Sequence, residues 1–299
     1  MTEFRIDSLL PQEMAGRAEF LGARKAEMPL LRMFMLAVLA GAFIALGALF
    51  ATTASAGAIQ VASPDGSTAY SAALPYGVVR LLAGLAFSLG LILVVVGGAE
   101  LFTGNNLIVM AWASRKVTAR GLLRNWATVY LGNFVGATGT AVLVFLSRQY
   151  TFGANAAGVS ALRTAIAKCD LGFVQAIALG VLCNALVCMA IWLTYSARTT
   201  VDKIVSIIFP IAAFVAAGFE HSVANMYFIP YGLLIKDLDP TYISVVAPQV
   251  PHIERLTWPA FVLKNLLPVT IGNIIGGGVL VAAVYWAIFL RPTEPRVRT

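Results

Sequence analysis

The sequence predicts an all-α membrane protein with six transmembrane helices in two inverted three-helix repeats. Three observations carry this. Of 299 residues, 59% are hydrophobic and 12% charged, with a mean hydropathy of +0.83; soluble domains carry roughly a quarter charged residues. Gly98–Asn105 (GAELFTGN) and Gly218–Asn225 (GFEHSVAN) share the pattern Gly-x-Glu-x4-Asn, each inside an apolar stretch. Asn125–Ala137 and Asn265–Gly277 share a second pattern, Asn-x6-Gly-Asn-x2-Gly.

Apolar runs of about 20 residues can cross a bilayer. They place spans at 30–53, 76–113, 120–147, 171–197, 204–234 and 258–290. Spans 2 and 5 are interrupted by the Glu motifs and are predicted to be broken helices. Residues 1–28 mix acids and bases without an apolar core, as in an amphipathic cytoplasmic helix and not a signal peptide. The expected organisation is that segment, a six-span domain over 29–291 with repeats at about 30–147 and 171–290, and a cytoplasmic tail, 292–299. Three spans per half reverse the chain's sense, which gives the halves opposite orientation.

The net charge of +7 reads as topology. Fourteen of the 21 Lys and Arg residues fall on the side of the N-terminus and six on the other, the positive-inside signature. Both termini are therefore predicted cytoplasmic, and the charge calls for no nucleic-acid partner. Cys169, Cys183 and Cys188 suggest packing and no disulfide framework. Neither HExxH, GxSxG nor a phosphate-binding glycine loop occurs, so no enzyme, cofactor or metal site is expected.

Ionisable groups at membrane depth point to function. Glu100 and Glu220, with Asn105 and Asn225, read as struts at the breaks, the carboxylates bonded to backbone amides of the following half-helix. His221 differs, since its counterpart Leu101 cannot titrate. It is expected to donate a hydrogen bond or a proton to a passing solute. Thr103 supplies an uncharged hydroxyl at the first break, and Phe102 either plugs the path or packs in the core. Asn133 and Asn273 are expected to bridge helices, and Gly132/Gly136 and Gly272/Gly276 to allow close helix approach.

The strings GAELFTGNN, GFEHSVANM and NLLPVTIGNIIGGG on this repeat resemble the formate/nitrite transporter family, the last string its formate-channel branch. The resemblance spans roughly residues 25–290. It implies an aquaporin-like protomer, a homopentamer in the cell (inner) membrane, and passive or proton-coupled passage of small monovalent weak-acid anions, formate first. It implies His221 at the pore centre facing Thr103, with Lys168 and Asn184 completing the polar set. Phe87, Leu91, Phe102, Val187 and Phe214 match the apolar constrictions. Lys168 is expected to draw the anion in. Alternatives are nitrite, lactate or hydrosulfide in the same family, or an aquaporin-like neutral-solute pore, although both breaks lack Asn-Pro-Ala.

Overall fold

The computed structural model describes residues 7–62, 68–72 and 74–291; the expected tail 292–299 lies outside them. The architecture is helical, and among the described residues five helices are long and apolar enough to cross a membrane. They are α2 (Leu30–Ala54), α3 (Tyr76–Gly97), α5 (Ala119–Leu146), α7 (Phe173–Ser196) and a C-terminal helix, Ala260–Phe289. The last contains two π-helical stretches, Ala260–Leu266 and Ile275–Ala283.

Helices end and begin again at both glutamate motifs. α3 stops at Gly97, and after Gly98–Thr103 the chain resumes as a 3-10 turn, Gly104–Ile108, followed by α4 (Val109–Ala113). Likewise α8 (Thr200–Ala216) stops, and α9 (Ser222–Leu238) begins after Gly218–His221. Gly98 and Gly218 take left-handed backbone, φ 75° and 78°. A side chain there costs about 1–2 kcal/mol, so the first residue of each motif is the one that turns the chain.

One element lies outside the all-α expectation. Strands β1 (Ile59–Ala62) and β2 (Thr68–Ala72) pair antiparallel between α2 and α3, with Ile59 opposite Ala72. The segment is too short to show in a reading of 20-residue apolar runs. Its Ser-Pro-Asp-Gly sequence is of turn-forming composition.

Helix α1 spans Pro11–Glu27, and its small face is not left to water. Ala15, Ala18, Gly22 and Ala26 are buried, and a Cβ on Gly22 would lie 3.2 Å from Ala111 Cβ and 3.3 Å from Ile108 Cα. α1 therefore packs on the segment that follows the first break. Glu19 pairs with Lys116, and Arg124 donates to the carbonyls of Ala26 and Met28. α6 (Ala156–Cys169) lies against α9 and ends beside the second break, with Lys168 in its last turn.

The glycine pairs sit where helices meet. A Cβ on Gly136 would run into the carbonyl of Val38, and one on Gly276 into that of Val181. Gly132 and Gly272 are equally close to α2 and α7. Such approach replaces the hydrophobic effect as the source of helix association in lipid. The three cysteines are free and buried, as packing residues.

Candidate functional site

The site is built from two matching hydrogen-bond networks. At the first break, Asn133 of α5 donates Nδ2 to the carbonyls of Ala37 (2.8 Å) and Glu100 (2.9 Å), and its Oδ1 accepts the Phe102 amide (2.9 Å). At the second, Asn273 donates to Gly180 (2.9 Å) and Glu220 (3.0 Å), and accepts the Ser222 amide (2.9 Å). Glu100 N–H reaches Leu36 O at 3.2 Å, and Glu220 N–H reaches Leu179 O at 3.3 Å. A broken helix leaves buried backbone groups that must find partners. One asparagine and one carbonyl from neighbouring helices supply them in each half.

The carboxylates hold a different set. Glu100 accepts Asn105 Nδ2 (2.7 Å) and Lys25 Nζ (3.0 Å). Glu220 accepts Asn225 Nδ2 (2.7 Å), Asn265 Nδ2 (3.1 Å) and Lys168 Nζ (2.7 Å). Asn105 also donates to Asn125 (2.9 Å), and Asn225 to Asn265 (2.6 Å). This corrects the expectation that the glutamates cap the next half-helix. They bond side chains instead, Asn105 or Asn225 of the following segment together with groups on neighbouring helices, while Asn133 and Asn273 occupy the amides of Phe102 and Ser222. Sequence reading missed Lys25, Asn125 and Asn265 as members. The two asparagines open the repeated motif, whereas Lys25 lies in α1, outside the repeat.

His221 caps α9. Its Nδ1 accepts the Ala224 amide at 3.1 Å, so in the neutral ring the proton sits on Nε2. That atom is 3.0 Å from Thr103 Oγ1 and donates to it. The contact joins residues 118 apart in sequence and links the two breaks directly. Phe214 stacks on the imidazole with centroids 6.0 Å apart.

Two cavities approach this contact. One, about 80 Å³, is lined by His221, Lys168, Arg80, Phe87 and Phe214 among others. The other, about 240 Å³, is lined by Lys25, Glu100, Leu101, Gly104 and Lys203 among others. His221 lines the first, and Gly104, the residue after Thr103, lines the second. Phe87 and Phe214 close the first edge to face at 5.5 Å. Leu91 and Val187 are buried and line neither cavity.

Four residues sit differently from expectation. Phe102 is no plug here: its ring packs edge-on against Tyr130 (4.9 Å) and Trp126 (6.1 Å), facing an apolar groove lined by α5 and the C-terminal helix. Leu101, read only as a non-titrating counterpart, lines the cavity instead. Asn184 spends its amide on the carbonyls of Asn273 (2.7 Å) and Thr103 (3.3 Å), fixing backbone and leaving little donor capacity for a solute. Lys168 is ion-paired to Glu220. Among the described residues no group of His, Cys, Asp or Glu is arranged to hold a metal ion.

The profile of the formate/nitrite transporter family matches residues 12–287. The formate channel FocA of Escherichia coli (strain K12) is 43% identical over 289 residues, 96% of this chain and 97% of that protein. The FocA of Haemophilus influenzae is 40% identical over 276 residues, covering 92% of each. A solved pentameric formate channel with formate bound superposes with a TM-score of 0.77 at 41% identity, over 88% of this chain and 98% of the other. The repeated glutamate motifs, the buried histidine that lines a cavity and these matches agree, and the chain belongs to the formate/nitrite transporter family.

Proposed function

We propose that the protein is a formate channel of the cell membrane, assembled from five copies, each with its own path. The reading has α8 and α9 together as a sixth span, the two halves in opposite sense, and both termini cytoplasmic. The duplicated asparagine–glutamate networks support the repeat, since equivalent residues make equivalent bonds in both halves. The relatives are channels, which speaks for transport and against catalysis.

The observation that carries the function is the buried Thr103–His221 contact, with His221 lining one cavity and Gly104, next to Thr103, lining another. Apolar rings beside it exclude water, and an unpaired charge entering such a layer costs several kcal/mol. A small carboxylate that displaces Thr103 receives the Nε2 hydrogen of His221 and is not left unpaired. Handing over a proton needs more. The ring must first be doubly protonated, and Nδ1–H cannot coexist with the bond from Ala224 N–H. Hydrogen-bond donation is therefore the mode this geometry serves directly, while proton-coupled uptake requires the cap to open.

Uptake of formate, nitrite, lactate and hydrosulfide into proteoliposomes across a pH series tests the reading. Formate flux that saturates, and that His221→Phe abolishes, is expected. Water or glycerol flux without formate flux would overturn it in favour of a neutral-solute pore.

A further inference from the structure

The lysines at the two breaks are neutralised. Lys168 lies 2.7 Å from Glu220, and Lys25 lies 3.0 Å from Glu100, so each pair presents little net field to an approaching anion. Three other cations, Arg80, Lys203 and Arg17, line the same cavities without a carboxylate partner among the described residues. Arg17, on α1, spends its guanidinium on the carbonyl of Tyr195 at 3.2 Å, which leaves Arg80 and Lys203 as the two on the channel helices.

Arg80, near the start of α3, lines the Lys168 cavity. It donates Nε to Ala216 O at 3.4 Å and Nη2 to Val215 O. These are carbonyls at the end of α8, which carry a partial negative charge. A whole positive charge set against them leaves a net positive residue. Lys203, near the start of α8, lines the other cavity beside Val94, Val95 and Gly98, where α3 ends. Its ammonium group makes no hydrogen bond or ion pair among the described residues.

The arrangement is reciprocal. α3 and α8 pack closely, a Cβ on Gly84 falling 2.6 Å from Ala212 O, and the start of each meets the end of the other. Each helix thus delivers one cation to the mouth where its partner breaks. Low-dielectric walls focus such a field and raise the local concentration of an anion.

We infer that Arg80 and Lys203 are the anion-recruiting residues, one at each mouth, for a small monovalent carboxylate, while Lys168 and Lys25 serve as struts. The inference rests on the formate reading above. It replaces the expectation that Lys168 draws the anion in.

The test is initial-rate formate uptake against concentration and ionic strength, in right-side-out and inside-out membrane vesicles. Arg80→Gln is expected to raise KM about tenfold in the first, and Lys203→Gln in the second, by the size of electrostatic steering effects. Both should flatten the salt dependence and keep the maximal rate. Arg80→Lys and Lys203→Arg should restore KM, since they keep the charge. Unchanged KM in either Gln variant overturns the inference, as does a charge-retaining variant that fails like the Gln one. Lys203 holds no other group, so its arm stands even where Arg80→Gln does not assemble. Absence of formate flux in the unsubstituted protein would overturn the underlying function instead.

Discussion

Thr103 Oγ1 and His221 Nε2 lie 3.0 Å apart, joining one broken helix to the other through a hydroxyl and an imidazole. The direction of the bond follows from the other ring nitrogen, which accepts the Ala224 amide at 3.1 Å. Thr103→Val removes the acceptor and leaves a buried donor unpaired, at a cost of about 1–3 kcal/mol. Thr103→Ser keeps the hydroxyl. Thermal unfolding in detergent should show a loss for Val that Ser does not share, and formate flux should fall at least about tenfold in Val alone. Equal behaviour of Ser and Val would show that the hydroxyl is not the contributing group.

The two lysine–glutamate pairs differ in how much water reaches them. The Lys168 side chain is 14% exposed, against 32% for Lys25. Removing one partner of a buried pair costs about 3–5 kcal/mol, because the other charge is left uncompensated, and exposure reduces this. Lys168→Met should therefore lower the midpoint of unfolding more than Lys25→Met. The reverse order would place the main strut at α1.

Close packing makes a sharper contrast. Gly136→Ala and Gly276→Ala would drive a methyl group into backbone carbonyls of α2 and α7, whereas a Cβ on Gly139 meets nothing within 4 Å. Backbone cannot yield as a side-chain tip can, so the first two should lose folded protein and the third should be neutral or slightly stabilising. Yield of monodisperse protein on gel filtration reads this out. A folded, fully active Gly136→Ala would mean that α2 and α5 separate at little cost.

Much of this was legible because membrane physics narrows what apolar runs can be. Gly98 and Gly218 marked the breaks, and Asn133 and Asn273 marked the helix bridges, from repeated spacing alone. The partners of Glu100 and Glu220 were not legible. Backbone amides were the local option, but the carboxylates reach residues on other helices, which only folding brings together. Phe102 differs for a related reason: its ring packs on Tyr130 and Trp126 of α5, partners that spacing along the chain does not encode. Lys25 and Lys203 were counted as topology charge, and both turn inward. The two short paired strands, Ile59–Ala62 and Thr68–Ala72, fell below the length that apolar periodicity resolves.

Asp239 gives the contact between the segment after α9 and the segment joining α5 to α6 a pH dependence whose sign is fixed. Its carboxylate accepts the Tyr150 hydroxyl at 2.7 Å and the Tyr242 amide at 2.9 Å, with Arg148 at 3.6 Å. These contacts, the Tyr150 hydrogen bond foremost, hold it below the usual aspartate value. A depressed folded value means that stabilisation is complete above the unfolded aspartate value of about 3.9 and is lost as pH falls through the folded one. Asp239→Asn cannot titrate there, so its deficit in unfolding midpoint should be full at pH 7 and shrink as pH is lowered below about 4. The Tyr242 hydroxyl, which donates to Asn155 O at 3.0 Å, is untouched by the substitution and keeps the loop in place for the comparison. A deficit that stays constant from pH 7 to acid would assign the effect to shape and not to charge.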